Sequence, residues 1–465
     1  MHRERLRLSE AAAFCGGIVK GPEIPFPGNL WPDSRDVCPG DGFVALPGVH
    51  ADGHRFVGAA LDNGAGLVIG TAEGIAPWEP RILEAGASCL VVEDAEKALV
   101  QIAEGYLQEV SPKVKIAVTG SVGKTTTREL IRSALEPVFR VHSAKRSHNT
   151  RIGCALTVLA MPPGTEVLVL EMGTNHPGEI RSIVEHFPPT IAVITAIAPV
   201  HLEGLGDLEG VLSAKLEIIP QEGLDLLIYN ADDSRLSQAI EGAQRPFRIA
   251  GVGYRKGSAL LLTGADTVFE EGNLQVGLSY GGQSWVCRSL LKGTHHAINI
   301  GFAVMVGLAL DVPMEILLKA ISGMAPLRGR GKWIRDGRVH LLIDESYNAN
   351  PSSVAAALEV LRSLAVPGRR LAVLGGMREL GEKSGKLHSE IVGMFDFLDG
   401  VVLVGEEWEN ITEPPAGAKV QQWRVRNAKE AADLLEGLVG KKDTVLVKGS
   451  RSYGLEQVVE RLSCP

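Results

Sequence analysis

The sequence predicts an α/β protein of several domains, and three observations lead to this fold class. At 465 residues the chain is too long for one hydrophobic core, so about two to four domains are expected. From Val114 onward, short apolar runs alternate with helical stretches, as in parallel sheets covered on both faces. A second unit of the same kind begins near Pro326. We therefore predict three domains, over residues 1–110, 111–325 and 326–465.

The elements of the first two regions are predicted from apolar runs and turn residues. The first region has short strands between turns rich in glycine and proline, and segment 108–113 has the composition of a linker in which Pro112 ends a helix. The second region has continuous apolar runs at 114–119, 167–170, 191–195 and 226–229, which we predict to be buried parallel strands. Residues 251–292 are predicted to form β-hairpins with a turn at 280–283, followed by a helix from His296.

In the third region, strands are predicted at 339–343, 370–374, 401–404 and 444–447, each followed by a polar loop and a helical stretch. A helix should begin at Asn350-Pro351, because proline fits the first position of a helix. In open parallel sheets, ligands bind outside the carboxyl ends of the strands. The loops that follow these strands are therefore the places to look for chemistry.

Composition excludes several classes of protein. Charged residues at 22% and hydrophobic residues at 45% are typical of a globular protein rather than a disordered one. No apolar run is long enough for a membrane span or a signal peptide, so we expect a cytoplasmic protein without membrane insertion. The six cysteines include no C-x-x-C pair, which argues against a zinc site or a disulfide framework. A net charge of −8 gives no reason to expect nucleic acid as a partner.

The segment Val114–Thr119 and the residues after it have the pattern of a phosphate-binding loop. Glycines let the backbone approach an anion at the start of a helix, whose dipole adds to the attraction. Lys124 would reach the outer phosphates, and the Thr125 hydroxyl would bind Mg²⁺. Val118 stands where a full Walker motif has glycine, and the alternative is a chance Gly-Lys-Thr in a glycine-rich chain. The predicted nucleotide-binding residues of this loop are Gly120, Ser121, Val122, Gly123, Lys124, Thr125 and Thr126.

Other strand-end loops of the second region add candidates, each with a structural alternative. Glu171 follows a strand and would be a second ligand of Mg²⁺, or else a surface residue of a turn. His201 lies in the next such loop, where a histidine often makes only a structural hydrogen bond. Lys215 is in a helix, and if it were buried near a metal its amine could be carbamylated. Asn299, one turn into a helix, could bind an adenine edge or simply cap the helix.

The third region has a comparable set of polar loops. Asp344 and Asn348 follow its first predicted strand, and the dipeptide Gly375-Gly376 follows the next. After the last strand, the segment Lys448-Gly-Ser-Arg451 combines two cations with a hydroxyl in a flexible turn. Such a cluster suits a carboxylate or a phosphate, although an exposed charged turn would have the same composition.

Taken together and in order, these motifs resemble the Mur ligase family, and within it the MurF branch. The segments that carry the resemblance span nearly the whole chain: Thr119-Gly-Ser-Val-Gly-Lys-Thr-Thr-Thr127, Glu171-Met-Gly-Thr-Asn-His-Pro-Gly-Glu-Ile180, His201-Leu-Glu-Gly-Leu-Gly206, Ala214-Lys-Leu-Glu-Ile218, Tyr347-Asn-Ala-Asn-Pro351, Gly375-Gly-Met-Arg-Glu-Leu-Gly381 and Val447-Lys-Gly-Ser-Arg451. The phosphate loop is common to all Mur ligases and to folylpolyglutamate synthases. The last three segments point to the MurF branch.

The resemblance implies an N-terminal UDP-sugar domain, a central P-loop ATPase domain and a C-terminal Rossmann-like domain. It implies an ATP-dependent amide ligase that joins D-alanyl-D-alanine to UDP-N-acetylmuramoyl-tripeptide through an acyl phosphate, in cytoplasmic peptidoglycan precursor synthesis. The cofactors would be ATP and Mg²⁺, and a monomer is expected. Two alternatives stay open: a MurE-type ligase that adds a diamino acid, and a P-loop kinase without ligase activity.

The resemblance also implies roles for individual residues. Lys124, Lys215 and His201 would be catalytic, with Lys215 carbamylated. Thr125, Glu171, His201 and Lys215 would form the metal site. The remaining expected contacts are to adenine, ribose or phosphates from Asn299, Arg330, Asp344 and Asn348, and to the peptide and sugar substrates from Asp33, Ser34, Arg35, Asn149, Lys448, Ser450 and Arg451.

The chain departs from the family pattern at four positions. Gly376 stands where an aspartate is usual, and Thr150 where a second asparagine is usual. His296 replaces an asparagine that often follows the histidine, and Val118 replaces the Walker glycine.

Overall fold

The computed structural model describes residues 5–48, 51–144, 148–242, 245–268, 273–409, 411 and 419–463. Within these residues, three β-sheets of five, nine and six strands follow one another along the chain, with helices around each of them. This arrangement confirms the predicted α/β fold class. We call the parts built on the three sheets the N-terminal, central and C-terminal lobes; the exact domain boundaries at residues 110 and 325 stay predictions. No described helix has the length and apolar character needed to cross a membrane.

The N-terminal lobe has a sheet of order β1-β5-β4-β3-β2, in which only the pairing of β1 with β5 is antiparallel. Its strands are β1 (Ile18–Lys20), β2 (Leu30–Trp31), β3 (Gly42–Val44), β4 (Leu67–Thr71) and β5 (Ser88–Val92). Its helices are α1 (Leu8–Cys15), α2 (Val57–Asp62), α3 (Ala72–Ile75), α4 (Glu79–Glu84) and α5 (Ala95–Val110). Helix α5 ends at Val110 and is capped by Ser111, whose φ of 46° is left-handed, so the helix stops just before Pro112 as predicted.

The central sheet has the order β14-β13-β12-β11-β10-β9-β6-β8-β7 and is parallel from β7 to β12. Its strands are β6 (Val114–Thr119), β7 (Val141–Ser143), β8 (Val167–Glu171), β9 (Ile191–Ile194), β10 (Leu226–Asn230), β11 (Arg248–Gly253), β12 (Leu260–Val268), β13 (Asn273–Tyr280) and β14 (Gln283–Ser289). Its helices are α6 (Lys124–Leu135), α7 (Arg151–Leu159), α8 (Glu179–His186), α9 (Leu202–Leu205), α10 (Leu208–Leu216), α11 (Ser234–Glu241), α12 (Ala297–Ala309) and α13 (Met314–Ser322).

The four predicted parallel strands of this lobe are all present. The prediction of hairpins over 251–292 is correct for β12 to β14 but wrong at its start, because β11 pairs in parallel with β10. The glycines in β11 have the appearance of turn residues in the sequence, yet Gly251 and Gly253 belong to the strand. Glycine is used there because the side chains of Tyr229 and Asp232 occupy the space that a larger residue would need.

The C-terminal sheet has the order β15-β16-β20-β17-β18-β19, and only β15 is antiparallel to its neighbour. Its strands are β15 (Lys332–Ile334), β16 (Leu341–Glu345), β17 (Arg370–Gly375), β18 (Gly400–Val404), β19 (Gln421–Val425) and β20 (Thr444–Lys448). Its helices are α14 (Pro351–Ser363), α15 (Ser384–Val392), α16 (Ala428–Leu438) and α17 (Glu456–Ser463). The four predicted strands are present, and α14 begins at Pro351 with Asn350 as its cap, as expected.

The central and C-terminal lobes share a hydrophobic core. Apolar side chains around α9 and α10, among them Val200, Leu202 and Val211, belong to the same buried cluster as Leu341 and Ile343 of β16. The segment that carries His201 and Lys215 therefore packs directly onto the C-terminal lobe. This packing brings the carboxyl ends of the two sheets toward a common space.

Asp443 directly precedes β20, at the end of the C-terminal sheet opposite to the carboxyl ends of its parallel strands. We expect Asp443→Ala to lower the free energy of unfolding by about 2–3 kcal/mol. The carboxylate is only 4% exposed and accepts hydrogen bonds from Gly440 N at 2.7 Å and Arg369 Nη2 at 2.6 Å. Burial alone would raise the pKa of Asp443, but the Arg369 and Gly440 donors outweigh burial and hold that pKa below its ordinary value. The stabilisation is thus present above the ordinary pKa and is lost as pH falls through the lowered one.

Urea unfolding of the isolated chain measures this effect. The control is Asp433→Ala, because Asp433 is 54% exposed and its ion pair with Arg461 is long, at 3.4 Å. We expect a change below about 0.5 kcal/mol for the control. Equal effects of the two substitutions would contradict the role of Asp443.

Candidate active site

A cavity of about 1080 Å³ lies between the central and C-terminal lobes. It is open to the end of β6, to the loops after β8 and β9, and to the loops that follow β16 and β20. Fourteen of the predicted site residues line this cavity: Ser121, Val122, Gly123, Lys124, Thr125, Thr126, Asn149, Glu171, His201, Asn299, Arg330, Asn348, Lys448 and Arg451. The topology has therefore assembled loops that are far apart in the sequence.

The loop between β6 and α6 has the backbone of a phosphate cradle. Gly120 has φ of 143° and Gly123, which caps α6, has φ of 82°. A Cβ atom at Gly120 would lie 2.0 Å from Thr195 Oγ1, and one at Gly123 would lie 2.6 Å from Asn299 Oδ1. Both positions accept only glycine, so no side chain stands between the backbone of this loop and an anion at the amino end of α6. Val118 lies in the buried strand β6, so the first glycine of the loop, Gly120, comes two residues later than in a full Walker motif.

Lys124 and Glu171 face each other across the base of the cradle. Lys124 Nζ donates to Gly120 O at 2.7 Å, and burial lowers the pKa of Lys124, with Glu171 opposing the shift. Thr125 Oγ1 donates to Glu171 Oε2 at 2.8 Å, and Asn149 Nδ2 donates to Glu171 Oε1 at 3.2 Å. The two residues predicted to bind Mg²⁺, Thr125 and Glu171, are thus in direct contact with each other, while their binding of the metal stays a prediction.

Lys215 lies behind the cavity wall rather than on it. Its side chain is fully buried in α10, and among the described residues Nζ has no hydrogen-bond partner. Burial lowers the pKa of Lys215 well below its ordinary value; the charge of Lys124 adds to the shift, and Glu179 and Glu217 oppose it. A buried amine with no partner among the described residues, whose charged form is disfavoured by burial, is suited to react with carbon dioxide, so this position fits a carbamylated lysine.

His201 connects the two lobes. Its backbone is left-handed, with φ of 51°, and its ring Nδ1 donates to the carboxylate of Glu379 in the C-terminal lobe. This hydrogen bond lowers the pKa of Glu379. Glu203 N also donates to Glu379 O at 3.3 Å. Glu379 was not among the predicted site residues, and its only sequence signal was its place in the Gly-Met-Arg-Glu-Leu-Gly segment.

At the other end of the cavity, Asn299 joins α6 to α12. Thr127 Oγ1 donates to Asn299 Oδ1 at 3.2 Å, while Asn299 Nδ2 donates to His296 Nδ1 at 3.2 Å. The His295 and His296 rings are in contact, with centroids 4.1 Å apart and planes tilted by 45°, and His296 Nε2 has no partner within the described part of the chain. Burial lowers the pKa of His296 well below its ordinary value, so this wall presents a neutral ring nitrogen suited to a purine edge.

In the C-terminal lobe, the predicted residues divide into those that face the cavity and those that support it. Arg330 stacks on Tyr347 at 4.2 Å, and Lys448 Nζ donates to Glu345 Oε2 and to Asn348 O, both at 3.1 Å. Asp344 does not line the cavity, because its carboxylate accepts hydrogen bonds from Gly329 N at 2.8 Å and from Ser346 Oγ at 2.6 Å. Its observed contacts hold the loop that carries Arg330.

Ser450 and the Asp33–Arg35 segment also lie outside the cavity wall. Ser450 Oγ accepts from Arg378 N at 3.1 Å. In the N-terminal lobe, Asp33 caps the short 3-10 helix Ser34–Asp36, and Arg35 Nη2 donates to Asp33 at 2.6 Å. The Arg35 side chain is 87% exposed, so it is accessible to an anionic substrate. Substrate binding by this segment stays a prediction.

The structure gives physical reasons for two of the departures from the family pattern. Thr150 accepts from Gly153 N at 3.2 Å and so caps α7, which asparagine would do equally well. At Gly376, a Cβ atom would lie 2.2 Å from Glu407 Oε2. The carboxylate of Glu407 thus occupies the space that an aspartate side chain at position 376 would need.

The donors at this site are those of a hard cation. The described residues contain no group of three or more His, Cys, Asp or Glu side chains close enough to hold a metal by themselves. The Thr125 hydroxyl and the Glu171 carboxylate are adjacent oxygen donors, and nucleotide phosphates together with a carbamate at Lys215 would add more. This set fits Mg²⁺ bound with a nucleotide rather than a metal held by protein alone.

Comparison with known proteins agrees with this geometry. Three family models match in succession: "Mur ligase family, catalytic domain" over residues 30–107, "Mur ligase middle domain" over 118–307, and "Mur ligase, glutamate ligase domain" over 329–451. The UDP-N-acetylmuramoyl-tripeptide–D-alanyl-D-alanine ligase of Bacillus subtilis is 32% identical over 437 residues, which cover 90% of each chain. The chain belongs to the Mur ligase family. The Escherichia coli ligase of the same name is 29% identical over 98% of both chains.

Solved Mur ligases share the whole architecture. A crystal structure of MurF from Acinetobacter baumannii is 26% identical, with a TM-score of 0.80 and complete coverage of both chains. MurF from Thermotoga maritima in complex with ADP is 28% identical, with a TM-score of 0.76 over 94% of this chain and 97% of that one. A 2,6-diaminopimelate-adding ligase is 20% identical with a TM-score of 0.53, which shows the common fold alone.

Proposed function

We propose that this Mur ligase is the ATP-dependent enzyme that joins D-alanyl-D-alanine to UDP-N-acetylmuramoyl-tripeptide, as its relatives' names state for them. The observation that carries the proposal is that the phosphate loop of the central lobe and the Lys448–Arg451 loop of the C-terminal lobe line the same cavity. Whole-length similarity to MurF ligases supports the same assignment. The three lobes would be the UDP-sugar, ATPase and Rossmann-like domains.

The reaction needs activation, because a carboxylate is a poor electrophile toward an amine. A terminal carboxylate oxygen of the tripeptide attacks the γ-phosphorus of ATP, and the bond between this phosphorus and the oxygen that bridges to the β-phosphate breaks. ADP departs, and the tripeptide now carries an acyl phosphate. The amine of D-alanyl-D-alanine then attacks the acyl carbon, loses its proton, and expels inorganic phosphate. Lys124 and the amides of the phosphate loop would offset the negative charge during the first step.

The assigned roles follow the position of each group. Mg²⁺, when bound through Thr125, Glu171 and His201, would reduce the repulsion between the nucleotide and the carboxylate. A carbamate on Lys215 would support the metal site from behind the wall. The remaining proposed contacts are Asn299, Arg330, Asp344 and Asn348 toward the nucleotide; Asp33, Ser34, Arg35 and Asn149 toward the UDP-linked substrate; and Lys448, Ser450 and Arg451 toward the dipeptide.

For the metal role of Glu171, we expect Glu171→Gln to raise the Mg²⁺ concentration for half-maximal activity by about tenfold. The change removes a charge that is 2% exposed and contacts Thr125 and Asn149, while leaving the shape of the side chain intact. Titration calorimetry of ADP at several Mg²⁺ concentrations gives a second readout. Glu136→Gln is the matched control, because Glu136 is 45% exposed and pairs only with Arg132 among the described residues. An unchanged Mg²⁺ requirement in Glu171→Gln would remove this residue from the metal site.

The proposed function is tested by incubating the protein with ATP, UDP-N-acetylmuramoyl-tripeptide and D-alanyl-D-alanine. We expect inorganic phosphate and a pentapeptide product in equal amounts, identified by mass spectrometry. A kinase would instead yield a stable phosphoester without the dipeptide. A MurE-type ligase would accept the dipeptide substrate UDP-N-acetylmuramoyl-L-alanyl-D-glutamate and a diamino acid, so either result would overturn the proposal.

A further inference from the structure

A cluster of three polar side chains lies at the ends of β17, β18 and β20, beside the cavity but outside its wall. Arg378 Nε donates to Glu407 Oε1 at 2.9 Å, and Arg378 Nη2 donates to Tyr453 Oη at 3.1 Å. The Tyr453 hydroxyl in turn donates to Glu407 Oε2. Glu407 therefore accepts from both partners, and the three groups form a closed hydrogen-bonded triangle.

Two glycines make room for this triangle. A Cβ atom at Gly376 would lie 2.2 Å from Glu407 Oε2, and one at Gly405, whose φ is 107°, would lie 2.1 Å from Tyr453 Oη. Burial, followed by the hydrogen bond to Glu407, raises the pKa of Tyr453 to about 12, so the phenol stays a donor. Glu407 is 16% exposed and Arg378 is 54% exposed. Glu407 is thus the buried member of the triangle, and the Arg378 guanidinium faces solvent.

The neighbours of Arg378 place it at the rim of the cavity on the side of the C-terminal lobe. The next residue, Glu379, binds His201, which lines the cavity. Arg378 N donates to Ser450 Oγ, and the following residue, Arg451, lines the cavity next to Tyr347. The phosphate loop belongs to the facing lobe. Arg378 is therefore positioned for a substrate that enters from the C-terminal side, not for the nucleotide.

The acceptor dipeptide has an amine that must reach the acyl carbon and a carboxylate at its far end that needs a cation. The other cations of the C-terminal lobe at the cavity also have partners: Lys448 is buried against Glu345 at 3.1 Å, Arg330 lies on the Tyr347 ring, and Arg451, which is 63% exposed, pairs with Glu456 at 3.3 Å. Arg378 also has an acidic partner, but a guanidinium has five N–H donors in a planar fork and binds carboxylates on more than one edge. Its exposed part is suited to a second carboxylate.

We propose that Arg378 binds the carboxylate of the acceptor dipeptide, and that Glu407 and Tyr453 act as positioning residues that fix its guanidinium. This inference rests on the proposed function and names the acceptor subsite within it. It assigns the recognition of the dipeptide's free carboxylate to the loop after β17, which contains Arg378, rather than to the Lys448–Arg451 segment. It also explains the use of glycine at position 376, since Glu407 needs that space to hold Arg378.

The test compares D-alanyl-D-alanine with D-alanyl-D-alaninamide as acceptors, with ATP and the tripeptide substrate saturating. We expect the unmodified enzyme to favour the free acid in kcat/KM by about 10- to 100-fold, the usual range for a charge-assisted pair. Arg378→Ala should abolish this preference by raising KM for the free acid while kcat and the kcat/KM of the amide change little. Arg378→Lys should restore part of the preference, and Glu407→Gln and Tyr453→Phe should each reduce it several-fold.

Arg461→Ala is the matched control, because Arg461 is 45% exposed, lies in the same lobe, and is ion-paired with Asp433 and Glu436. It should keep the full preference. The assignment is wrong if Arg378→Ala keeps the preference for the free acid, or if it lowers the kcat/KM of both acceptors equally. It is also wrong if Arg451→Ala abolishes this preference and Arg378→Ala does not. An unmodified enzyme that forms no product with either acceptor would instead overturn the proposed function, and with it this subsite.

Discussion

Lys124→Ala is expected to lower ADP release that depends on both substrates by about 10³-fold or more. Lys124 is the cation of the phosphate loop, and its Nζ lies 2.7 Å from Gly120 O within that loop. Among the described residues, Lys124 Nζ donates hydrogen bonds only to the backbone carbonyls of Gly120 and Ser121, so its charge is available to a phosphate. Because the charge acts on the γ-phosphoryl group as it is transferred, the loss should fall mainly on kcat.

Lys319→Ala is a suitable control for this prediction. Lys319 is exposed on α13 of the same lobe and is remote from the cavity lining. It should release ADP at the rate of the unmodified enzyme. Steady-state coupled assays with both substrates measure the difference, and turnover that is undiminished in Lys124→Ala would remove the phosphate loop from the mechanism.

Lys215→Ala is expected to lower activity by about a hundredfold, for a different reason. The side chain is fully buried and has no hydrogen-bond partner among the described residues, and a carbamate there would supply oxygen ligands for a metal. Small aliphatic carboxylates should restore part of the activity of Lys215→Ala, because they place a carboxylate in the vacated space. Bicarbonate should restore less, since it cannot form a carbamate without the amine. Equal rescue by both would argue against carbamylation.

Two further measurements separate the carbamate from a structural lysine. Carbon-13 NMR of protein equilibrated with labelled bicarbonate should show a carbamate signal that Lys215→Ala lacks. Lys215→Met should unfold at about the same urea concentration as the unmodified chain, because it removes a buried amine and keeps the packing volume. A large loss of stability in Lys215→Met would indicate that the lysine is needed for folding rather than for chemistry.

Local pattern was enough to predict those parts of the site that depend on neighbouring residues. The strand, the two glycines and Lys124-Thr125 are adjacent in the chain, so the cradle could be recognised before its surroundings were known. The apolar runs of β6, β8 and β9 likewise placed Glu171 and His201 at one edge of a sheet. The burial of Lys215, which decides between a solvated and a carbamylated lysine, could not be predicted, because it depends on how α10 packs against the C-terminal lobe.

The contacts between distant residues were not predictable in the same way. The His201–Glu379 hydrogen bond joins residues 178 positions apart, and neither has a local pattern that specifies the other. The roles of Asp344 and Ser450 as supports of neighbouring loops depend on the tertiary positions of Gly329 and Arg378. The edge strands β15 and β19 were not predicted, because their exposed faces carry polar residues that interrupt the apolar pattern.

Transfer of oxygen-18 from the tripeptide substrate tests most directly whether this cavity activates a carboxylate with ATP. The substrate is labelled in both oxygens of its terminal carboxylate, and the reaction is run with unlabelled ATP and D-alanyl-D-alanine. We expect one labelled oxygen in each inorganic phosphate released, because the acyl phosphate joins that oxygen to phosphorus before the amine displaces it. Phosphate that contains only unlabelled oxygen, formed while the amide product accumulates, would contradict an acyl phosphate and the account of the site built on it.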